Sequence, residues 1–447
     1  MKKALISLLA SVPLFIALLA AVNPRPVQAV PSYARQTGLP CSGCHYTPPE
    51  LNAAGRRFKL LGYVDRADDA KAVKDSSNKR HSGLDLLSSL PLSVMFETSL
   101  TDTKTAQPGT QNSSFEFPQD MSLFLAGAWT THIGSFVQVT YDTQDDHFTS
   151  DNTDIRYADK RNFSGKELVY GLTLNNNPSV EDLWNDSPAW GFPWIASDSA
   201  LTPTAAPIVD GLLAQDVAGL GGYAMWDNHL YLDATIYRSE HVNGPQPNPG
   251  TGSAYNIRGV APYWRVAWQQ STAKTEFEVG TYGMHMVSSP GAITGLEDDY
   301  TDWAVDFQVD RTLFRKDVLS LRGTFIHETS DLAATDPLQT SQHLNTALAN
   351  AEYHFGNRIS ATLGWFDTEG TPDPLLYPQA PLTGNANGDP RSAGFIPSFS
   401  FWPTQNVQLA FQYAAYTRFN GAATNYDGAG RNASDNDTAY LLARFIF

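Results

Sequence analysis

A cysteine pair followed directly by a histidine is the segment of this sequence whose residue types and spacing could do chemistry. Residues 41–45 read CSGCH, so Cys41 and Cys44 are separated by two residues and His45 follows. This is the attachment motif of a c-type haem, in which both thiols add to vinyl groups and the histidine becomes an axial ligand of the iron. The motif therefore predicts one covalently bound haem c, held by Cys41, Cys44 and His45.

The alternative ligand for a CxxC pair is zinc, which takes four protein ligands at structural sites. The chain contains 2 cysteines, both within this motif, and no second CxxC or clustered His/Cys pair accompanies them. No cysteine remains for a structural disulfide. Haem is therefore the preferred interpretation.

The second axial ligand of the iron has two candidates. No methionine lies between His45 and Met95, so a short haem segment cannot supply the usual methionine from within itself. Met95 is the first choice because it falls on the predicted inner face of the next strand, and His81 is the second. The remaining interpretation is that Met95 only fills space and that the sixth position is open or taken from elsewhere.

The start of the chain predicts export. Two lysines, an apolar run from Ala4 to Val22 and a small-residue cleavage site indicate a secretory signal peptide over residues 1–29. The formal charge is −16, and it becomes −19 without the three cations of that segment, Lys2, Lys3 and Arg25. Such an acidic protein is not expected to bind nucleic acid.

Residues 30–80 are predicted to form the monohaem cytochrome segment. Within it, a short helix is expected between residues 47 and 63, with Asn52 as its N-cap and Gly62 as its stop. A cytochrome this small can bury little core of its own, so it would gain from packing against something larger.

Residues 85–447 are predicted to form a porin-like outer-membrane barrel. Apolar and polar side chains alternate, as from Trp303 to Asp310, and no second run of about 20 apolar residues follows the signal peptide. Runs of about ten alternating residues, joined by connections that are long and short in turn, are typical of transmembrane barrel strands. The sixteen predicted strands lie near 90–101, 120–132, 134–143, 153–161, 166–175, 218–227, 229–239, 258–270, 273–286, 300–311, 317–329, 342–355, 358–368, 391–402, 405–417 and 437–447.

The alternative fold is a soluble β-sandwich or propeller with one hydrated face. Aromatic residues near strand ends favour the barrel, since barrels carry aromatic girdles at both membrane interfaces. The longest loop, 176–217, holds three tryptophans and is expected to fold inward as a lid or constriction, or to pack against the haem. The girdle candidates are Trp129, Tyr141, Tyr157, Tyr237, Trp264, Trp303 and Trp365.

Four segments together resemble the fused monohaem cytochrome-porins of the outer membrane of iron-oxidising bacteria. They are YARQTG at 33–38, the CxxCH motif, GRRFKLLGY at 55–63, and the loop at 175–193 that reads NNNP, DLW and PAWGFP. The resemblance covers the haem segment closely, one loop well and the rest of the barrel only in pattern. It implies that the haem takes electrons from a donor outside the cell and passes them to periplasmic cytochromes.

The expected function is therefore electron transfer of the Fe(II):cytochrome c oxidoreductase type, in the outer membrane and surrounded by its lipid. Residues 30 to about 80 are expected to enter the barrel from the periplasmic side. Acidic loop clusters at 145–147 with Asp151, and at 297–299, are candidates for concentrating Fe(II), although solvated loops are the simpler interpretation. The alternatives are a porin whose haem is a redox sensor or plug, and a conduit with another donor or the reverse direction.

Overall fold

The structure is a computed structural model that describes residues 30–64, 91–143, 146–185, 193–240, 255–290, 295–314 and 316–447. The predicted signal peptide and His81 lie outside the described residues. Among the helices within these ranges, none has the length and apolar character needed to cross a membrane.

The fold is a closed antiparallel β-barrel, because the first strand pairs with the last, with Met95 opposite Ile446. In the described ranges, sixteen long strands form the wall and two strands of three residues, β2 and β9, lie in long loops. The predicted fold class, an all-β barrel of sixteen strands with a small helical segment at the N-terminal side, is confirmed. The strands are β1 (Leu92–Thr103), β2 (Ser114–Glu116), β3 (Asp120–Ala128), β4 (Ile133–Asp142), β5 (His147–Phe163), β6 (Lys166–Asn175), β7 (Val217–Trp226), β8 (Leu230–Ser239), β9 (Tyr255–Ile257), β10 (Ala261–Ser271), β11 (Thr275–Pro290), β12 (Asp298–Thr312), β13 (Val318–Asp331), β14 (Ser341–Phe355), β15 (Ile359–Gly370), β16 (Ser392–Thr404), β17 (Val407–Arg418) and β18 (Thr438–Ile446).

The outer face of the wall is apolar and exposed. On β12, Trp303 and Phe307 are 45% and 42% exposed, whereas the alternate residue Asp306 is 3% exposed and faces the lumen. A closed barrel with an apolar outer wall and a polar inner wall belongs in an outer membrane, so the predicted location is confirmed.

Of the seven girdle candidates, five are exposed on the outer wall, Tyr141 is half-buried, and Tyr237 was assigned to the wrong face. Trp129, Tyr157, Trp264, Trp303 and Trp365 are exposed on the outer wall. Tyr237 is instead buried in the lumen, where its hydroxyl donates to Asn175 Oδ1 at 2.9 Å. It shares its face of β8 with Asp233 and Thr235, both buried, so the alternation along that strand directs it inward.

Short turns gather at one end of the barrel, and the long loops lie at the other end together with one short connection, 143–146 between β4 and β5, which was predicted to be long. The short turns include 164–165 between β5 and β6, 272–274 between β10 and β11, and 356–358 between β14 and β15. Outer-membrane barrels have short periplasmic turns and longer extracellular loops, so the short-turn end is periplasmic.

Residues 30–64, called the plug below, lie inside this barrel. The plug contains helices α1 (Pro31–Thr37) and α2 (Ala53–Leu60) and a single turn of 3-10 helix at Cys41–Gly43. The predicted helix start is observed, since the Asn52 side chain accepts a hydrogen bond from Gly55 N at 3.0 Å. Helix α1 was not predicted.

Contacts from the plug reach several parts of the inner wall. Tyr33 Oη donates to Ser135 O on β4 at 2.7 Å, and Tyr63 Oη donates to Asp154 Oδ2 on β5 at 2.5 Å. Across the lumen, Arg56 forms ion pairs with Glu276 of β11 and, at 3.1 Å, with Asp310 of β12. These contacts fix the plug against both sides of the barrel, as the expected insertion of this segment requires.

The long loop between β6 and β7 folds into the lumen from the opposite end, as predicted. Asp182 pairs with Arg265 of β10 at 3.3 Å, and its carbonyl oxygen accepts a hydrogen bond from Lys59 Nζ of the plug at 2.5 Å. The Trp184 ring lies 5.5 Å from the Arg265 guanidinium and is buried. Trp194 Nε1 donates to Glu352 Oε2 on β14 at 3.0 Å. The loop therefore joins the plug to the wall.

Candidate haem-binding site

The CxxCH motif lies at the periplasmic end of the plug. Cys41 N donates to Gln405 Oε1 at 3.1 Å, and Gln405 belongs to the short turn between β16 and β17. Cys41 is buried, whereas Pro40 and Leu39 before it are exposed. The attachment edge of a haem bound here would therefore lie close to the periplasmic face.

Helix α2 packs directly against the CxxCH motif. The backbone of Gly55 approaches so closely that a Cβ there would collide with the Cys44 carbonyl oxygen. Asn52 holds the same turn from the other side, because its amide donates to Gly43 O at 3.3 Å and its backbone N donates to Cys44 O at 2.9 Å. The motif is thus positioned by residues that the following helix supplies.

A cavity of about 390 Å³ adjoins the motif. Its volume falls within the usual range for small-molecule and cofactor sites. Both cysteines and His45 line it, together with aromatic residues of the plug and of β3 and β4, namely Tyr33, Phe58, Tyr63, Phe124 and Phe136. Asn185, Pro193 and Trp194 of the long inward loop line it as well, so the cavity reaches from the periplasmic motif to an extracellular loop.

His45 is held in the tautomer that leaves Nε2 available as a metal ligand. Its Nδ1 lies 3.0 Å from Pro49 O, and since a carbonyl oxygen can only accept, Nδ1 carries the proton. Burial lowers the pKa of His45 to about 4, partly opposed by the bond to Pro49 O. The neutral ring therefore presents the lone pair of Nε2, and a hydrogen bond at the other nitrogen is the usual support for a metal-ligating histidine.

Met95 lines the same cavity as His45. It lies on β1, on the inner face with the buried residues Ser93 and Glu97, as predicted. Its side chain packs on the aromatic cluster of Tyr63, Phe124 and Phe136. The structure thus brings the two predicted axial residues to one cavity, and the assignment of Met95 to the iron stays a prediction. The other candidate, His81, lies outside the described residues.

Two cationic residues and one tryptophan of the cavity wall were not predicted as site residues. Arg444 of β18, which is ion-paired with Glu97 of β1, and Lys59 of α2 supply the cations, although burial lowers the pKa of Lys59 to about 7. Trp402 of β16 is buried, and its Nε1 has no hydrogen-bond acceptor among the described residues. The sequence signal that could have identified Arg444 was its position in the alternation of the last strand, where it falls on the face that points inward.

This lining fits a c-type haem. The two thiols and the neutral imidazole are the donor set for covalent attachment and axial ligation. The aromatic walls suit a flat macrocycle, and the unpartnered Trp402 Nε1 is a donor suited to a carboxylate. The predicted site residues Cys41, Cys44 and His45 therefore meet at a cavity with chemistry appropriate to the cofactor.

The two acidic loop clusters have structural partners. Asp298 is buried and accepts hydrogen bonds from Ala334 N and Thr335 N at 2.7 and 3.1 Å. Glu297 pairs with Arg258 at 2.8 Å, and Asp151 lies against Thr140. Asp298 therefore supports its loop from a buried position and is not part of a solvated loop, and the role of these clusters in concentrating Fe(II) stays a prediction. Asp145 lies outside the described residues.

No family model matches the chain, and no curated protein matches it. Solved structures that are similar include an OmpT loop-deletion mutant from Vibrio cholerae, at 11% identity and TM-score 0.43, covering 80% of this chain and 98% of that one. The outer-membrane channel DcaP of Acinetobacter baumannii has 10% identity and a TM-score of 0.43, covering 80% of this chain and 96% of that one. An anion-selective porin from Comamonas acidovorans has 11% identity and a TM-score of 0.45, covering 80% of this chain and 98% of that one. Identities this low say nothing about function, which has to be inferred from the chain's own residues.

Proposed function

We propose that this chain is an outer-membrane electron conduit that carries one haem c on Cys41, Cys44 and His45. It oxidises an extracellular donor, with Fe(II) as the favoured donor, and passes the electron to a periplasmic c-type cytochrome. A haem bound in this cavity supplies a one-electron Fe(III)/Fe(II) couple. Each Fe(II) ion oxidised outside then corresponds to one acceptor haem reduced in the periplasm.

One observation carries the proposal: a single cavity joins the CxxCH motif at the periplasmic turns to a loop that folds in from the extracellular end. Cys41 contacts the turn residue Gln405, and Trp194 of the long loop lines the other part of the cavity. The apolar band of such a barrel is about 25 Å tall, so a cofactor hanging below it would lie far from any external donor. Placement within the lumen shortens that separation.

The chain's own residues have defined tasks in this proposal. His45 presents Nε2 because Pro49 O fixes its tautomer, and aromatic side chains line the cavity beside it. Trp194 is held by Glu352, which keeps the loop against the cavity. Met95 is the proposed second axial ligand, because it lies on the same cavity wall.

The family resemblance favours Fe(II) over other donors. Ferric iron is poorly soluble near neutral pH, so a cell gains by removing the electron at its surface and leaving the solid outside. The direction of flow follows from the haem potential, which depends on axial ligand, burial and hydrogen bonds together.

The alternative, a porin in which solute permeation is primary, is disfavoured by the contents of the lumen. The plug and the long loop fill it from both ends, and buried ion pairs such as Arg265 with Asp182 join them to the wall. A channel for solutes would have to open through these contacts.

Stopped-flow mixing of the purified, haem-loaded protein with Fe(II) tests the proposal. We expect the oxidised haem absorbance to convert to the reduced form, and we expect no conversion in a Cys41→Ser/Cys44→Ser double variant that retains the barrel. A potential titration on the same sample shows whether transfer from Fe(II) is downhill. Steady ion conductance by the loaded barrel, without reduction by Fe(II), would overturn the proposal in favour of the porin.

A further inference from the structure

Exposed basic side chains surround the periplasmic end of the barrel. Within four residues of the short turns, each described charged side chain that is exposed is a lysine or an arginine. Acids in the same zone are partly or fully buried and already engaged, as Asp227 is with Lys166 at 3.2 Å and Asp317 with Tyr353 Oη at 3.2 Å. The exposed cations are Lys160, Arg161, Lys166, Lys274, Arg311, Lys316 and Arg358, with Arg35 on the plug.

Three of these cations lie on consecutive turns beside the haem motif. Lys274 lies between β10 and β11, Lys316 between β12 and β13, and Arg358 between β14 and β15. The next turn along the barrel carries Gln405, the residue that binds Cys41 N. Arg358, Gln405 and Cys41 line one small recess. Lys274, Lys316 and Arg358 are called the basic rim below.

The sign of this rim is opposite to that of the chain as a whole. The formal charge of the protein is −16. At the extracellular end the exposed charges are mixed, and Asp102, Glu297, Asp331 and Glu369 are among them. Among the described residues around the short turns, the exposed charged side chains are basic. The charge of the rim therefore differs from the charge that the overall composition would predict.

We propose that the basic rim is the docking surface for an acidic redox protein, a small soluble c-type cytochrome whose haem edge is ringed by carboxylates. This inference rests on the proposed function and names the partner's charge. Complementary rims raise the association rate and orient the two proteins, and exclude partners of like charge. Docking at Arg358 would place the partner's edge beside Cys41, where the electron leaves the cavity.

Two forms of one probe protein test this proposal. Mitochondrial cytochrome c is basic, and succinylation of its lysines makes it acidic while keeping its haem. The haem of the full-length protein is reduced with dithionite in neutral-lipid vesicles, freed of excess reductant, and mixed with each oxidised probe. The donor reaction is thereby bypassed, so an absent response to Fe(II) overturns the proposed function and leaves this test intact.

We expect the wild-type protein to reduce the acidic probe at least tenfold faster than the basic probe at low salt, with the difference lost near 1 M salt. The triple variant Lys274→Glu/Lys316→Glu/Arg358→Glu should reverse that preference. The matched control Arg418→Glu, at an exposed cation of the extracellular end, should keep it.

Equal rates for both probes, or a triple variant that behaves as wild type, would overturn the proposal. A different occupant, anionic lipid, predicts another pattern. In that case the triple variant would lose only its preference for anionic over neutral vesicles, with unchanged electron-transfer rates, and the rim would be assigned to the membrane surface.

Discussion

The contribution of buried ion pairs to the attachment of the plug can be tested by comparing variants of two neighbouring arginines, Arg56 and Arg57. Arg56 is buried, with its side chain 7% exposed, and pairs with Glu276 and Asp310. Arg57, the next residue, is 37% exposed and pairs with Glu167 alone at 2.8 Å. Substitution of each by methionine removes one charge from the same helix at nearly constant volume. The two variants differ in what each leaves behind on the wall.

Loss of Arg56 leaves the buried Asp310 carboxylate without the guanidinium that pairs with it. Removing one partner of a buried ion pair costs about 3–5 kcal/mol. Gln308 still donates to Asp310 Oδ2 at 2.8 Å, and Tyr46 Oη still donates to Glu276 at 3.3 Å, so the lower end of that range applies, about 3 kcal/mol. This corresponds to about 10²-fold weaker plug binding. Loss of Arg57 removes an exposed pair worth at most about 1 kcal/mol, or less than about tenfold.

The assay uses a protease site inserted between residues 65 and 90 of the haem-loaded protein. After cleavage, the dissociation constant of the haem peptide from the barrel is measured by its absorbance during size-exclusion chromatography over a dilution series. The wild-type peptide should stay bound without denaturant, Arg56→Met should release it at about 10²-fold higher concentration, and Arg57→Met should resemble wild type. Equal weakening by both variants, or free release of the wild-type peptide, would refute the reasoning.

Three further predictions concern the cavity and the lumen. Met95→Leu should change the haem spectrum and potential, because it removes the proposed sulfur ligand. The control Met121→Leu, on the exposed outer face of β3, should change neither. Unchanged spectra in both variants would remove Met95 from consideration. Gly55→Ala should lower the covalent haem content, measured as haem per protein after denaturation, because the added Cβ meets the Cys44 carbonyl oxygen. The control Ala54→Ser, at an exposed position of the same helix, should not lower it. Normal haem content in Gly55→Ala would contradict this prediction and show that the motif tolerates displacement. Planar-bilayer recordings should show far lower conductance for the intact protein than for a variant without residues 31–64, and equal conductance would mean that the plug does not close the lumen.

The wall was predictable from the sequence because it obeys a local rule. Side-chain alternation with a period of two located each of the long strands, and its failures are instructive. On β5 the strand was predicted near 153–161 but begins at His147, because the polar segment 147–152 lacks the apolar alternation that marks the other strands. Tyr237 was placed on the outer face from its residue type, although it has the same parity as Asp233.

The interior of the lumen was much harder to predict. Helix α1 has 7 residues and no acidic N-terminal turn, so too little periodicity existed to reveal it. Arg56 was identified as part of a helix, but its partner Asp310 is 254 positions away. Trp402 and Arg444 reach the cavity only because the barrel closes on itself. Contacts between residues so far apart in the sequence depend on the whole fold. The CxxCH motif, by contrast, is recognised from five consecutive residues.

The burial of Cys41 has a consequence for the order of biogenesis. Its sulfur lies against Gln405 O at 3.8 Å, and the residue is 5% exposed once β16 and β17 are paired. An enzyme that joins a porphyrin to both thiols has to reach each of them, which the folded barrel does not permit. For the proposed haem protein, attachment therefore belongs before membrane assembly, when the chain is still open. Quality control would follow from the same order, since a chain that lacks its cofactor would have to close around an unfilled cavity.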